Sequence, residues 1–327
     1  MNTRPSLVAL LILCSVMLVA CNTTNAPKSS QVSAVQADPA SRVANDLTLN
    51  IFNAPPRPLK LPLPVAAPAG GWTWPPTSAT LIAGKRDAIL VDTVATLDDA
   101  NKLADWIAAS GKNLTTIYIT HGHIDHYLGT ATLLERFPRA RVVATEATVR
   151  LIKEELASGV QRATYSPFFV DKIGSTIVVP EVLTGNRLLL EGHEILAVTA
   201  GQSDVSDSSY VYVPELAAVI VGDIAYNGVH PTLVTSTHQA RLDWIKTLTV
   251  IQALKPRIVI AAHRNPAAPD DAKVLADTIT YLQDADRLLA KNLTAQQFIE
   301  QMLAAHPDRL NITTLIFSTA MQGLRQK

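Results

Sequence analysis

The stretch Thr120-His121-Gly122-His123-Ile124-Asp125-His126 constrains this chain more than any other. Three of only eight histidines fall there, with an aspartate among them. Neutral imidazole nitrogen and carboxylate oxygen are donors that suit zinc, whose catalytic sites use few protein ligands and keep a position for water. Upstream, Leu114-Thr115-Thr116-Ile117-Tyr118-Ile119 is β-branched and aromatic and reads as a buried strand. Downstream, Tyr127 to Arg136 has helical composition and stops before Pro138. The donors therefore sit on a strand-to-helix loop, aimed by rigid elements on both sides. The plainer alternative is a polar loop whose histidines only cap and solvate, but spacing this dense leaves them little else to do than bind a metal.

The flanking pattern alternates strand and helix. A hairpin runs through Thr80–Ala83 and Ala88–Asp92, turned at Gly84-Lys85-Arg86-Asp87. Thr96 to Ala109 reads as a helix capped by Thr96, with Asp98 and Asp99 at its positive end and Gly111 after its last turn. A strand (Arg141 to Ala144) and a helix (Thr145 to Ala157) follow the histidine loop. Residues 160–180 are weakly patterned, with Tyr165-Ser166-Pro167-Phe168-Phe169 suggesting a loop near the site. Arg187 to Ala200 reads as a hairpin whose turn places His193 in solvent. Tyr210–Val213 and Ala217–Val221 form another, turned at Pro214-Glu215. Thr237 to Leu254 is a helix, Arg257 to Ala262 an apolar strand, and the tail from Asp270 is mostly helical, with capping-box spacing at Thr294 and Gln297. The alternation fits an α/β class.

The His-x-His-x-Asp-His pattern resembles the signature of the metallo-β-lactamase superfamily, and the resemblance runs from about Ser78 to His263. It implies an α/β fold in which two mixed β-sheets pack face to face in an αββα sandwich, with metals at one edge. It implies two zinc ions: His121 and His123 with a third ligand on the first, and Asp125, His126 and His263 on the second. Asp223, after the apolar strand ending at Gly222, would lie between them, and Asp92 would support the metal loop from behind. The sequence departs from the family at Ala200-Gly201-Gln202-Ser203-Asp204, where Gln202 stands in place of the usual histidine. Its amide oxygen is a weak neutral ligand, and Asp204 and Asp207 are close enough in sequence to supply a carboxylate instead. Ser203 is discounted as a nucleophile because Val205 stands where a serine-hydrolase elbow closes with glycine. Tyr226 and His230 follow on a loop expected to face the same cleft.

The implied chemistry is metal-dependent hydrolysis of a lactone, ester, thioester or β-lactam, in which a hydroxide made near neutral pH attacks a carbonyl and Asp125 orients it. A metal-dependent phosphodiesterase is an alternative, but no basic residues cluster near the motifs. A catalytically decayed, tethered metal-binding protein is another, which the retention of Asp125, Asp223 and His263 disfavours.

The ends of the chain carry other signals. Arg4 and the apolar run Leu7 to Ala20 read as a signal peptide (1–20), too short to span a membrane. Leu18-Val19-Ala20-Cys21 resembles the lipobox of bacterial lipoproteins, which implies lipidation of Cys21 and anchoring in the cell envelope, with Asn22 pointing to the outer membrane facing the periplasm. The mature chain then keeps no internal cysteine and relies on its core alone. Residues 21–46 read as a flexible tether, 47–77 as a proline-rich extended segment whose Trp72 and Trp74 mainly bury an edge, 78–268 as the catalytic domain, and 269–327 as a helical extension. Lys+Arg and Asp+Glu are each 28, so no basic excess points to nucleic acid, and the expected partner is a small-molecule substrate.

Overall fold

The computed structural model describes residues 46–63, 66–234 and 236–322, so the signal segment, Cys21 and nearly all of the tether lie outside the described residues. Strand β1 (Thr48–Ala54) opens the first sheet, and the proline-rich stretch after it forms a short ribbon, β2 (Arg57–Pro58) against β3 (Thr73–Trp74). Strand β4 (Thr77–Ala83) pairs antiparallel with β1 and turns into β5 (Asp87–Val91). Helix α1 (Leu97–Ala109) leads to β6 (Asn113–Ile119), which lies parallel to β5. Short helices α2 (Ile124–Tyr127) and α3 (Thr130–Arg136) precede β7 (Arg141–Ala144), and α4 (Glu146–Ser158) and α5 (Val160–Tyr165) precede β8 (Glu181–Val182). The first sheet has the order β1-β4-β5-β6-β7-β8.

The second sheet comprises β9 (Arg187–Leu190), β10 (His193–Gly201), β11 (Ser208–Val213), β12 (Ala218–Gly222) and β13 (Ile258–Ala261), in the order β13-β12-β11-β10-β9. Helix α6 (His238–Ala253) crosses from β12 to β13, which are parallel. Helices α7 (Lys273–Leu289), α8 (Ala295–Ala305) and α9 (Ile312–Met321) complete the chain. Among the described residues, no helix is long and apolar enough to cross a membrane.

Three apolar layers hold this αββα sandwich together. Between the sheets, Ile82, Ile89, Val91, Tyr118 and Val143 meet Leu188, Ile195, Val211, Val213, Ile220 and Ile260. Outside the first sheet, Leu81, Leu90 and Ile117 pack on Leu103, Ile107 and Ile152 of the helices. Outside the second, Val219, Val221 and Val259 pack on Trp244, Leu248, Tyr281 and Phe298. Strands covered on both faces need continuous apolar runs such as Ala88-Ile89-Leu90-Val91, all buried.

Three features differ from expectation. The folded unit starts near Thr48 rather than Ser78, because β1 has the period-two pattern of a strand: Leu49 and Ile51 pack toward the inter-sheet layer and Phe52 toward the helices. The helix expected over 127–136 is broken at Gly129, where an added Cβ would lie 2.9 Å from the Val94 carbonyl oxygen. His193 is no solvent-exposed turn residue; it begins β10 and its Nδ1 lies 2.8 Å from Glu215. The expected capping box at Thr294 and Gln297 is present.

One polar contact ties the sheets at the end remote from the histidines. The Glu191 carboxylate accepts the backbone N–H groups of Lys85, Arg86 and Asp87, at 2.9, 2.6 and 2.8 Å. These donors, chiefly those of Arg86 and Asp87, lower its pKa from 4.5 to about 2. A depressed carboxylate stabilises the fold fully above its unfolded pKa, and the contribution disappears as pH falls toward the folded value. Urea unfolding should therefore show a loss of stability between about pH 5 and pH 2 that is smaller in Glu191→Gln; equal losses would remove Glu191 from the acid response.

Candidate metal centre

The centre forms where strand ends from both sheets converge, and its geometry begins with Asp92. This residue follows β5 in the left-handed region (φ 62°), a conformation that aspartate tolerates better than most residues. Its Oδ1 accepts the Thr120 N–H (2.8 Å), and its Oδ2 accepts the Thr120 hydroxyl (2.8 Å) and His126 Nδ1 (3.0 Å). The Thr120 hydroxyl, its proton given to Asp92, is left to accept from His121 Nδ1 at 3.0 Å. One carboxylate thus fixes the orientation of two imidazoles, so that each turns its Nε2 toward the centre. His263 is set in the same way, its Nδ1 donating to the Pro76 carbonyl at 2.9 Å.

Two groups of donors result, each with its ligand atoms within 4.8 Å of one another: His121, His123, Asp204 and Asp223, and then Asp125, His126 and His263. Asp223 touches both, its oxygens 3.7 Å from His121 Nε2, 3.4 Å from His126 Nε2 and 3.3 Å from His263 Nε2. Gly222 makes this approach possible, since its φ is +52° and a Cβ there would lie 2.7 Å from the Thr120 hydroxyl. Tyr226 donates to Asp223 at 3.1 Å and to Asp204 at 3.4 Å, and its ring stacks on His263 at 5.4 Å. The Trp74 indole N–H donates to Asp125 Oδ2 at 3.0 Å.

Burial opposes charge throughout this centre, and the carboxylates decide which groups keep it. Burial, with His126 nearby, lowers the His121 pKa to about 3. For His263, burial is outweighed by Asp223 and Asp125, which push it up to about 10, and His126 is raised well above its ordinary value by Asp223, Asp125 and Asp92. The same contacts hold Asp125 and Asp223 below the usual carboxylate range against their burial. Burial and the neighbouring Asp204 and Asp223 raise Tyr226, which therefore stays a hydrogen-bond donor.

Of the sequence-predicted donors, the structure brings together His121, His123, Asp125, His126, Asp223 and His263. Gln202 turns its amide nitrogen to the Ser203 carbonyl (2.8 Å), and the carboxylate that closes on His123 is Asp204, at 3.1 Å from Nδ1. Asp207 points outward to Arg150 at 3.5 Å. Ser203 is buried and donates to Asp204 at 2.9 Å, a structural role. His230 is not on the cleft; it is buried with Nδ1 3.1 Å from the Tyr281 hydroxyl, whereas Tyr226 does line the cleft. Trp74 does more than bury an edge, because it reaches a carboxylate of the centre. Its sequence signal was only an aromatic between glycines and prolines, which carries no distance.

The donor set fits divalent cations on two observations. His126 Nε2 and Asp223 Oδ1 face each other at 3.4 Å, buried and without any hydrogen bond. Carboxylates of Asp125, Asp204 and Asp223 share one largely buried pocket with four imidazoles, the mixed N and O donors that zinc accepts.

Comparison with known proteins agrees with this geometry. A family model described as the metallo-β-lactamase superfamily matches residues 72–263, more than half of the chain. A hydroxyacylglutathione hydrolase of Actinobacillus pleuropneumoniae serotype 3 (strain JL03) is 26% identical over 180 residues, 55% of this chain and 60% of that protein. A ribonuclease J of Pyrococcus abyssi (strain GE5 / Orsay) is 24% identical over 199 residues, 61% of this chain and 40% of that protein. The chain thus matches less than two thirds of the length of either relative. The crystal structure of a metallo-β-lactamase family protein from Thermus thermophilus has a TM-score of 0.55 at 19% identity, covering 85% of this chain and 91% of its own. At that identity the likeness shows the fold alone.

The hydrogen bonds of Asp92 generate a prediction. Asp92→Asn keeps the shape but puts a donor where Oδ1 or Oδ2 now accepts, so His126 and His121 lose their enforced orientation. Zinc affinity, measured by competition with a chromophoric chelator, should fall by roughly 10–100-fold. An unchanged affinity would mean that the imidazoles orient themselves without Asp92.

Proposed function

The chain belongs to the metallo-β-lactamase superfamily, and from that premise we propose that it is a metal-dependent hydrolase acting on a carbonyl or amide bond of a small molecule. The observation that carries this reading is Asp223, which reaches both donor groups while lining an open cleft beside Asp125 and His263. His121, His123 and Asp204 would hold one zinc ion, and Asp125, His126 and His263 a second, with Asp223 shared. When bound at such donors, zinc supplies Lewis acidity that activates water near neutral pH and polarises a carbonyl.

The chain's own residues position the reaction. Asp125 is ionised, with Oδ2 held by Trp74, and is the group placed to orient water and accept its proton. Tyr226 keeps its proton and fixes Asp223 and Asp204 by donating to both. Asp204 takes the position that Gln202 holds in the sequence pattern, supplying a charged oxygen where an amide would be neutral. A phosphodiesterase would bind its substrate's charge with cations, and among the described residues no lysine or arginine lines the cleft.

Chelator treatment of the purified protein should abolish hydrolysis of ester and lactone substrates, and zinc should restore it. Asp125→Asn should lower the rate by orders of magnitude. Hydrolysis indifferent to both would sink this function. Metal analysis separates the two candidate ligands: Asp204→Asn should bring zinc content toward one ion per chain, while Gln202→Ala leaves it unchanged, and the reverse pattern would return the ligand role to Gln202.

The proposal for location rests on sequence alone. Leu18-Val19-Ala20-Cys21 would carry the enzyme, lipidated on Cys21, to the bacterial outer membrane, and Cys21→Ser should abolish both lipid labelling and recovery with the membrane fraction. Unlabelled, soluble wild-type protein in its host would refute it.

A further inference from the structure

The cleft in front of the donor groups has walls unlike its floor. The floor carries the charge, with Asp125, Asp223, His123 and His263. The walls are apolar and aromatic: Leu59, Trp74, Tyr165, Phe168, Val234 and Phe317. Threonines and Gln161 add only neutral polar atoms, and among the described residues no lysine or arginine lines the space. Lys60 sits between Leu59 and Leu61 in sequence but is exposed and not part of the lining. The cleft encloses a cavity of about 100 Å³ that opens to solvent at its mouth.

These walls are built and held in place. The Trp74 ring is fixed by its hydrogen bond to Asp125 and by edge contact with Tyr165, at 5.6 Å and 76°. Arg57 clamps the proline-rich segment to helix α1 through Asp98 at 2.7 Å and through Asp99. The Thr73 N–H donates to Thr313 of α9 at 3.1 Å, joining the segment before the domain to the last helix. Leu59 and Phe317 lie outside the 72–263 span that the family model matches, while Trp74, Tyr165, Phe168 and Val234 lie within it, so segments on either side of the matched core extend its walls.

From this arrangement we propose, resting on the hydrolase reading above, that the substrate is an uncharged ester or lactone bearing an apolar acyl or aryl arm, which lies between Trp74 and Phe317. A carboxylate, phosphate or glutathionyl group on that arm would lose its hydration against apolar walls, where no lysine or arginine of the described residues compensates it. An apolar arm gains from the same burial. In the reaction, water adds to the carbonyl carbon and the acyl–oxygen bond breaks. The proton passes to the departing alkoxide, giving an acid and an alcohol, or a hydroxy acid from a lactone.

The zinc-loaded protein is tested on 4-nitrophenyl esters from acetate to octanoate and on γ-lactones of increasing side-chain length. S-lactoylglutathione, nitrocefin and bis(4-nitrophenyl) phosphate serve as anionic comparisons. Expected is a kcat/KM that climbs about threefold to fourfold per methylene along the neutral series, with the anionic substrates at least tenfold below octanoate. Phe317→Ala should lower the octanoate-to-acetate ratio about tenfold, and titration calorimetry should show 2-decanone binding that the variant weakens. A flat chain-length series, or preference for an anionic substrate, overturns the substrate class while leaving the hydrolase intact. Decanone binding without hydrolysis of any substrate supports the apolar cleft and overturns the hydrolase, whereas neither binding nor chain-length preference overturns the inference itself.

Discussion

The hydrogen bonds that Asp92 accepts are the constraint on which the centre depends. They join the C-terminal ends of β5 and β6, fix the Thr120 backbone, and orient His126 directly and His121 through the Thr120 hydroxyl. From Thr120 the network crosses to the other sheet, because its carbonyl accepts the Ser209 hydroxyl of β11 at 2.6 Å. Ser209 is also 2.8 Å from the Tyr118 hydroxyl, so the inter-sheet layer ends in a polar knot directly beneath the histidine loop. Partners of this kind must all be satisfied, because a buried polar atom left unpaired costs about 1–3 kcal/mol. That cost makes one relative placement of the two sheets much better than its neighbours.

Such placement matters because neither sheet owns the centre. The first supplies His121, His123, Asp125 and His126, and the second Asp204, Asp223 and His263. A slip of one sheet against the other would separate Asp223 from the imidazoles it now contacts on both sides. The apolar side chains of the inter-sheet layer therefore serve the chemistry as well as stability, since close packing resists small displacements. Glu191 adds a tie at the opposite end, where it binds three N–H groups of the β4–β5 turn.

Much of this was legible in the sequence where the signal is local. The dense histidine loop, the hairpins, the Thr96 and Thr294 caps and the α/β alternation all depend on neighbours a few residues away, and they stand where expected. What was not legible depends on contacts between distant segments. Trp74 reaches Asp125 across 51 positions, and nothing in the local composition of a Gly- and Pro-rich stretch measures that distance. Asp204 and Gln202 differ by two residues on one loop, and side-chain direction there follows from how the loop leaves β10, where the ladder is irregular between Thr199 and Gly201. β1 was hidden because it was read with the prolines that follow it, although Leu49 and Ile51 carry the alternation of a strand.

The same division separates reaction from recognition. Strand ends of the shared core place the charged floor, while Leu59 from a segment before that core and Phe317 from a helix after it extend the apolar walls. A wall with no lysine or arginine among the described residues changes what the floor can do. The charges of Asp125, Asp223 and the imidazoles act in surroundings that screen them little, so their effect on a polar group brought to the floor is stronger than in open water. The same weak screening penalises any uncompensated charge carried elsewhere on the substrate. Apolar walls therefore strengthen the electrostatics of the reacting bond and, by the same physics, restrict which molecules can bring that bond to the floor.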